Sequence, residues 1–600
     1  MIANSRGTKG WRWIALPAAI LFLLALAPQV ALRILDGQSW SGSYFSFNPD
    51  EAPYLAYVNA LKDSRPRKSD PYSGRDDRAD APQPESIFSI QFVPAYAIAL
   101  PARLLGISAQ RAFAVLSCLV ALCAAVVVYG LIRLMTKNDR VAAAGSLVVL
   151  CCGSLRYAPF ITRFVPNGRA QYFPFLRSYL PSFAFPFFIL FVIVVWMLLK
   201  TNDTRKKFFL SVAAAAIFTL LLFSYFYLWT AVIAWVCILA FLWIVFRPDG
   251  YRNNLTAIAV IGAGAIAGLV GYWRLLSHRA AATDAFQVVT ATHRPDLLRV
   301  PELIGIVVAA AIVVCARRGE LLSLREHRLL FVLSLSLMPF VVFNQQVLTG
   351  YSIQPIHYEL YVANYVALLG MVLAFGVIVQ ARRPHGFRSR VLTVAAVCAI
   401  GWGVVEVTYA IRSRAQLNRI RDEIRVAALR LTDIEATSQV TIDQRSTLVL
   451  VTNIVQADTL PADAPQPVLW APHMRSFPGV SLAEEKFRYY AQLYYTGTDV
   501  KSFESLLRQT TIAPSVVFGW ERVNPRLASS SNPIFEEEIQ QEVRSYSDYI
   551  ASFNRDRAAG IRLSFVVASR NDNLANLDRW YARDEDIGVG KLVLYRVTLR

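Results

Sequence analysis

Long apolar runs recur through the first two thirds of this 600-residue chain, and charged residues bound each of them. A helix needs roughly 20 apolar residues to cross a bilayer, where no water can satisfy free backbone N–H and C=O groups. About eleven runs suit that role, at 13–35, 109–133, 141–158, 181–200, 208–227, 229–246, 254–274, 301–316, 328–344, 360–381 and 391–411. The fold class that follows is an α-helical polytopic membrane protein, and 55% hydrophobic residues agree with it. The first run continues past a short signal-peptide core and opens a series of similar runs, so it reads as a retained anchor.

Charge orients the chain. Arg6, Lys9 and Arg12 precede the first run, which places the N-terminus in the cytoplasm. Cations then cluster in alternate loops, at Arg133/Lys137/Arg140, Arg205/Lys206/Lys207, Arg247/Arg252, Arg317/Arg318/Arg325/Arg328 and Arg382/Arg383/Arg388/Arg390. An odd number of spans puts residues 412–600 outside. The sequons at Asn202 and Asn254 fall in cytoplasmic loops, which fits a bacterial inner-membrane chain.

A net charge of +19 suggests nucleic acid until it is located. Residues 412–600 carry 24 Lys+Arg against 23 Asp+Glu, a balance of +1, so the excess lies in the membrane half and no nucleic-acid partner is expected. All seven cysteines lie in apolar runs, which excludes a disulfide framework or a cysteine zinc site. No cofactor is expected and no metal is assigned.

The chain divides at 411. Residues 1–411 form the membrane domain, with a large first exterior loop at 36–108. Its Pro- and charge-rich part, Ser64 to Pro84, is expected to be irregular and mobile, and Glu85 to Leu105 to form a short interfacial helix. Residues 412–600 are expected to form an extracytoplasmic α/β domain. Arg412–Ala436 extends the last span as an amphipathic helix. Strands are expected at Thr447–Thr452, Ser515–Trp520, Leu563–Ala568 and Lys591–Val597, with helices at Ser481–Tyr495, Val500–Arg508 and Ile534–Phe553.

Two exterior loops break the charge rule. One holds Arg156, Arg163, Arg169 and Arg177 among tyrosines, and the other holds Arg274, Arg279, Arg294 and Arg299 with His278 and His293. Guanidinium groups bind phosphate through paired N–H donors, so these arginines suit a lipid-linked phosphate, although headgroup contact explains them as well. A third exterior segment, Asn344 to Glu359, collects Asn344, Gln345, Gln354, His357, Tyr358 and Glu359, the hydrogen-bonding and aromatic groups that a sugar ring requires. The acids Asp50 and Glu51 follow the first span and are placed to take a proton from a hydroxyl, or to pair with Arg65 or Arg67. Asp76-Asp77, inside Gly74-Arg-Asp-Asp-Arg78, reads as a solvated charge run.

The stretch Asn48-Pro-Asp50-Glu51-Ala-Pro-Tyr54, in a large first exterior loop before an interfacial helix, resembles the GT-C superfamily of polyprenyl-phosphate-dependent glycosyltransferases. Protein O-mannosyltransferases and lipid A aminoarabinose transferases belong to that class. The resemblance implies a catalytic base at Asp50, with Glu51 beside it. The run Leu460 to His473 is similar to a stretch in the exterior domains of some members, with Ala471-Pro472 here where they have Gly. A polyprenyl-phosphate-linked sugar is then the expected donor, and a glycan, lipid or protein the acceptor. A lipid-glycan or solute transporter, or a non-catalytic relative, is the alternative.

Overall fold

The computed structural model describes residues 7–155, 173, 177–280, 289–317, 323–382, 385–437, 447–477, 479–523 and 533–600. Helices lie at all eleven expected positions: Gly7–Asp36, Ala109–Thr136, Asp139–Cys152, Phe185–Lys200, Thr204–Leu222, Phe226–Phe246, Tyr251–Ser277, Val300–Arg317, His327–Asn344, Asn364–Arg382 and His385–Thr437. Among the described residues, eight helices are long and apolar enough to cross a membrane. Asp139–Cys152 and Phe185–Lys200 are shorter, and Thr204–Leu222 opens on three cations.

The chain forms two compact units. The first comprises residues 1–30, 114–274 and 292–413, and the second comprises residues 31–113, 275–291 and 414–600. The first exterior loop therefore clusters with the C-terminal segment, although chain order alone assigned it to the membrane domain.

In the first unit, small residues let helices approach closely, as membrane helices require in the absence of a strong hydrophobic drive. Gly305 of Val300–Arg317 lies against the backbone carbonyl of Ser336, and Gly145 of Asp139–Cys152 against Val372. Trp235 packs edge-on to Phe191 and Phe331, and its indole N–H donates to Ser334 Oγ at 3.0 Å. Asn254 is buried and accepts from Lys207 Nζ at 2.5 Å, so its sequon is part of a helix contact.

The second unit is built on a four-stranded sheet of order β1 (Leu448–Val451), β2 (Leu563–Ser569), β4 (Leu592–Leu599) and β3 (Tyr581–Val589). β1 runs parallel to β2, and the other pairs are antiparallel. Helices Leu482–Tyr495, Val500–Gln509 and Glu536–Ala551 match expectation. Two assignments change. Ser515–Trp520 is not a strand but lies largely in helix Ile512–Phe518, where Pro514 occupies the first turn and loses no hydrogen bond. β3 went unrecognised because Arg583 to Asp586 masks its pattern, although charge suits the edge strand of a sheet.

The Ser64–Pro84 stretch is irregular, yet it is tied down rather than loose. Asp70, Tyr72, Ser73 and Asp76 are buried. Arg65 pairs with Asp76 at 2.9 Å, Tyr72 OH donates to the Asp458 carbonyl, and Val468 N–H donates to the Tyr72 carbonyl. Asp76 is thus no solvated charge. Burial of Tyr72 supplies the hydrophobic contact that composition alone does not reveal.

Candidate functional site

In the second unit, Asp50 stands just before helix Glu51–Lys62, with its backbone N–H bonded to Asn48 Oδ1 at 3.0 Å. Its side chain is 53% exposed. The positive end of the helix favours an anion there. One of its oxygens lies 3.6 Å from Nε2 of His473, and Nδ1 of that imidazole lies 2.8 Å from Asp458 Oδ2. Asp458 Oδ1 also accepts from the His473 backbone N–H at 3.2 Å. Burial disfavours charge on His473, but Asp458 and then Asp50 outweigh it and push the pKa up to about 10. At neutral pH the ring is an imidazolium held between two carboxylates.

Glu51 is placed differently. It is 1% exposed, and its Oε1 accepts from the backbone N–H groups of Phe47 at 2.9 Å and Asn48 at 2.8 Å. Such bonds make Glu51 the brace that turns the chain into the helix and presents Asp50 outward. Arg65 and Arg67 engage Asp76 and Glu85 rather than the Asp50-Glu51 pair. Arg279 follows His278, whose carbonyl accepts from Glu85 N–H, and donates Nη1 to the Leu276 carbonyl.

The acid-imidazole cluster has a buried margin. Glu485 is pushed up to about 7 by burial, opposed by Arg475 at 3.2 Å. Arg421 is 6% exposed and burial lowers its pKa, against Asp458 and Glu51.

The first unit gathers several of the other candidates. Arg177 Nη1 donates to Tyr361 OH at 2.9 Å, and the His357 ring stacks on Tyr361 and meets Tyr227 edge-on. Tyr227 OH donates to Gln354 Oε1 at 2.7 Å, and Tyr358 bonds Thr230 at 2.8 Å. Gln354 holds this position with a left-handed backbone, φ 37°. Arg177, Gln354, His357 and Tyr358 thus form one aromatic-polar group, to which Tyr227 and Tyr361 are additions from the structure.

Glu359 and Asn344 serve a neighbouring network. Arg299 pairs with Glu359 at 2.6 Å and Asp296 at 2.5 Å, while Asn344 donates to buried Glu302 at 3.0 Å. Gln345 Nε2 caps the Tyr351 carbonyl, and the Arg294 carbonyl accepts from Gln346. These contacts shape the loop and engage Arg299, Asn344 and Gln345. Arg156, Arg163 and Arg169 lie outside the described residues.

Solved structures give a distant likeness. The chain is similar to the Archaeoglobus fulgidus oligosaccharyltransferase tethered with an acceptor peptide containing the NVT sequon, at 13% identity over 99% of this chain and 74% of that one, with a TM-score of 0.41. The same protein in complex with Zn and sulfate gives 12% identity, 96% and 73% coverage and a TM-score of 0.40. No family model matches the chain, and no curated protein matches it.

The sequence pattern singles out Asp50 but not the residues beside it. His473 and Asp458 lie far downstream in a domain of unrelated pattern, and only the Leu460–His473 resemblance pointed near them.

Proposed function

We propose that this chain is an inverting membrane glycosyltransferase that moves a sugar from a polyprenyl-phosphate donor to an envelope hydroxyl on the extracytoplasmic face. The observation that carries the reading is the half-exposed Asp50 carboxylate backed by the His473–Asp458 pair. An acceptor hydroxyl donates its hydrogen bond to Asp50. As the hydroxyl oxygen bonds to the sugar's anomeric carbon, the bond from that carbon to the phosphate oxygen breaks and the electron pair leaves with the phosphate. The acceptor proton passes to Asp50 and then to water. A carboxylate is a weak base, yet it suffices where the attacking hydroxyl turns acidic as its new bond forms.

His473 lies beside one Asp50 oxygen, and its charge offsets negative charge gathering at the site. Guanidinium groups take the phosphate.

One observation favours a second reading, transport of a lipid-linked glycan. Glu406 sits inside the His385–Thr437 helix, 1% exposed, with both carboxylate oxygens unbonded. An intramembrane acid of this kind often marks a transport path. Purified protein in nanodiscs, given radiolabelled polyprenyl-phosphate sugars and envelope acceptors, separates the two. The enzyme reading expects labelled product of inverted anomeric configuration by NMR. Lipid-glycan translocation in proteoliposomes without transfer would establish the transporter instead.

A further inference from the structure

We infer that Arg414 and Arg421, on the junction helix His385–Thr437, form a phosphate-binding cradle beside Asp50 that holds the leaving group of the transfer. The inference rests on the glycosyltransferase reading and names the groups that reading leaves open. Neither arginine belongs to the exterior loops that charge patterning singled out.

The placement follows from helix register. Residues 41–46 run antiparallel along this helix: Ser41 bonds Asp422 and Arg425, Ser43 bonds Asp422, and Ser46 makes a two-way bond with Asn418 at 2.8 and 3.0 Å. Arg414 lies one further turn along the same face from Asn418, in the direction in which the chain continues from Ser46 towards Asp50. Arg421 lies seven residues from Arg414, two turns along the same face. The two guanidinium charges repel each other, and Asp458 and Glu51 attract that of Arg421.

Hydrogen bonding leaves buried donors of both arginines unspent. Arg421 is more than nine-tenths buried, and neither its Nε nor its Nη1 has a partner. Arg414 Nε is also buried and unbonded. Neither Asp458 nor Glu51 hydrogen-bonds these buried guanidinium nitrogens, and both Asp458 oxygens are engaged by His473. A buried guanidinium without acceptors is costly. A tetrahedral oxyanion offers several acceptors and can bridge two such forks, which a single carboxylate oxygen cannot. Two guanidinium groups on one helix face, with buried donors unspent, suit the phosphate that separates as the sugar is transferred.

The test measures binding of a polyprenyl monophosphate to the full chain in nanodiscs, alongside kcat and KM for transfer. Wild type and Asp50→Asn should bind it equally. Arg414→Gln should weaken binding about 10- to 100-fold, the loss expected for charge-assisted hydrogen bonds. Arg421→Lys keeps the charge that faces Asp458 and Glu51 but loses the fork, and should weaken binding while the protein still folds. Millimolar inorganic phosphate should compete. Unchanged binding and KM in both variants, with wild-type transfer intact, would overturn the cradle. Equal competition by phosphatidylglycerol would identify a headgroup site and overturn the leaving-group role. If wild type transfers no sugar yet binds phosphate through Arg414, the glycosyltransferase reading fails and the anion site stands.

Discussion

His473 decides how the site responds to pH. A free imidazole titrates near 6.5, whereas this one titrates at about 10, so between those values the folded chain keeps a proton that the unfolded chain has released. The stabilisation is complete below about pH 6.5 and is lost as pH rises through about 10. The melting temperature in detergent should therefore fall across that window, and His473→Gln should flatten the slope; an unchanged slope would remove the imidazolium from the account. Glu485 acts with the same sign lower down, between its ordinary range and about 7, because burial makes its ionised form costly. His473→Gln also leaves buried Asp458 short of its charged partner, at a cost of about 1–3 kcal/mol, and transfer should drop at least about tenfold while donor binding holds.

Among elements, the membrane helices were legible because their period and length are written in apolar runs, and the junction helix because Ile424, Ala428 and Leu431 repeat at helical spacing. What the sequence concealed is long-range pairing. Tyr72 looked like part of a polar loop, and only its packing beneath Asp458 and Val468 explains its burial. Close helix crossings were hidden in the same way. Gly305→Ala drives a methyl group into the Ser336 carbonyl, so the helix pair must separate. It should destabilise the first unit by about 1–3 kcal/mol, read as a lower melting temperature with pH dependence intact, whereas an unaltered melting temperature would mean the crossing is looser than described.

At the scale of the whole molecule, the first exterior loop and the C-terminal segment share one unit, and both are expected on one side of the membrane. Cysteines introduced at the exposed positions Ala79 and Ser545 should both react with an impermeant maleimide added outside the cell, and reaction of only one would break the topology. That shared unit is why Asp50 could be read from the first loop while Asp458, His473 and Arg421 could not: each is an ordinary residue until folding joins segments more than 350 residues apart. Sugar transfer centred on Asp50 is the claim that binds these observations. Its most direct test is the turnover of purified wild type and Asp50→Asn with a labelled polyprenyl-phosphate sugar and envelope acceptor. Asp50→Asn preserves shape and removes the proton-accepting oxygen, so kcat should fall by about 10²–10⁴ while donor binding is kept. Full turnover by Asp50→Asn would contradict the account.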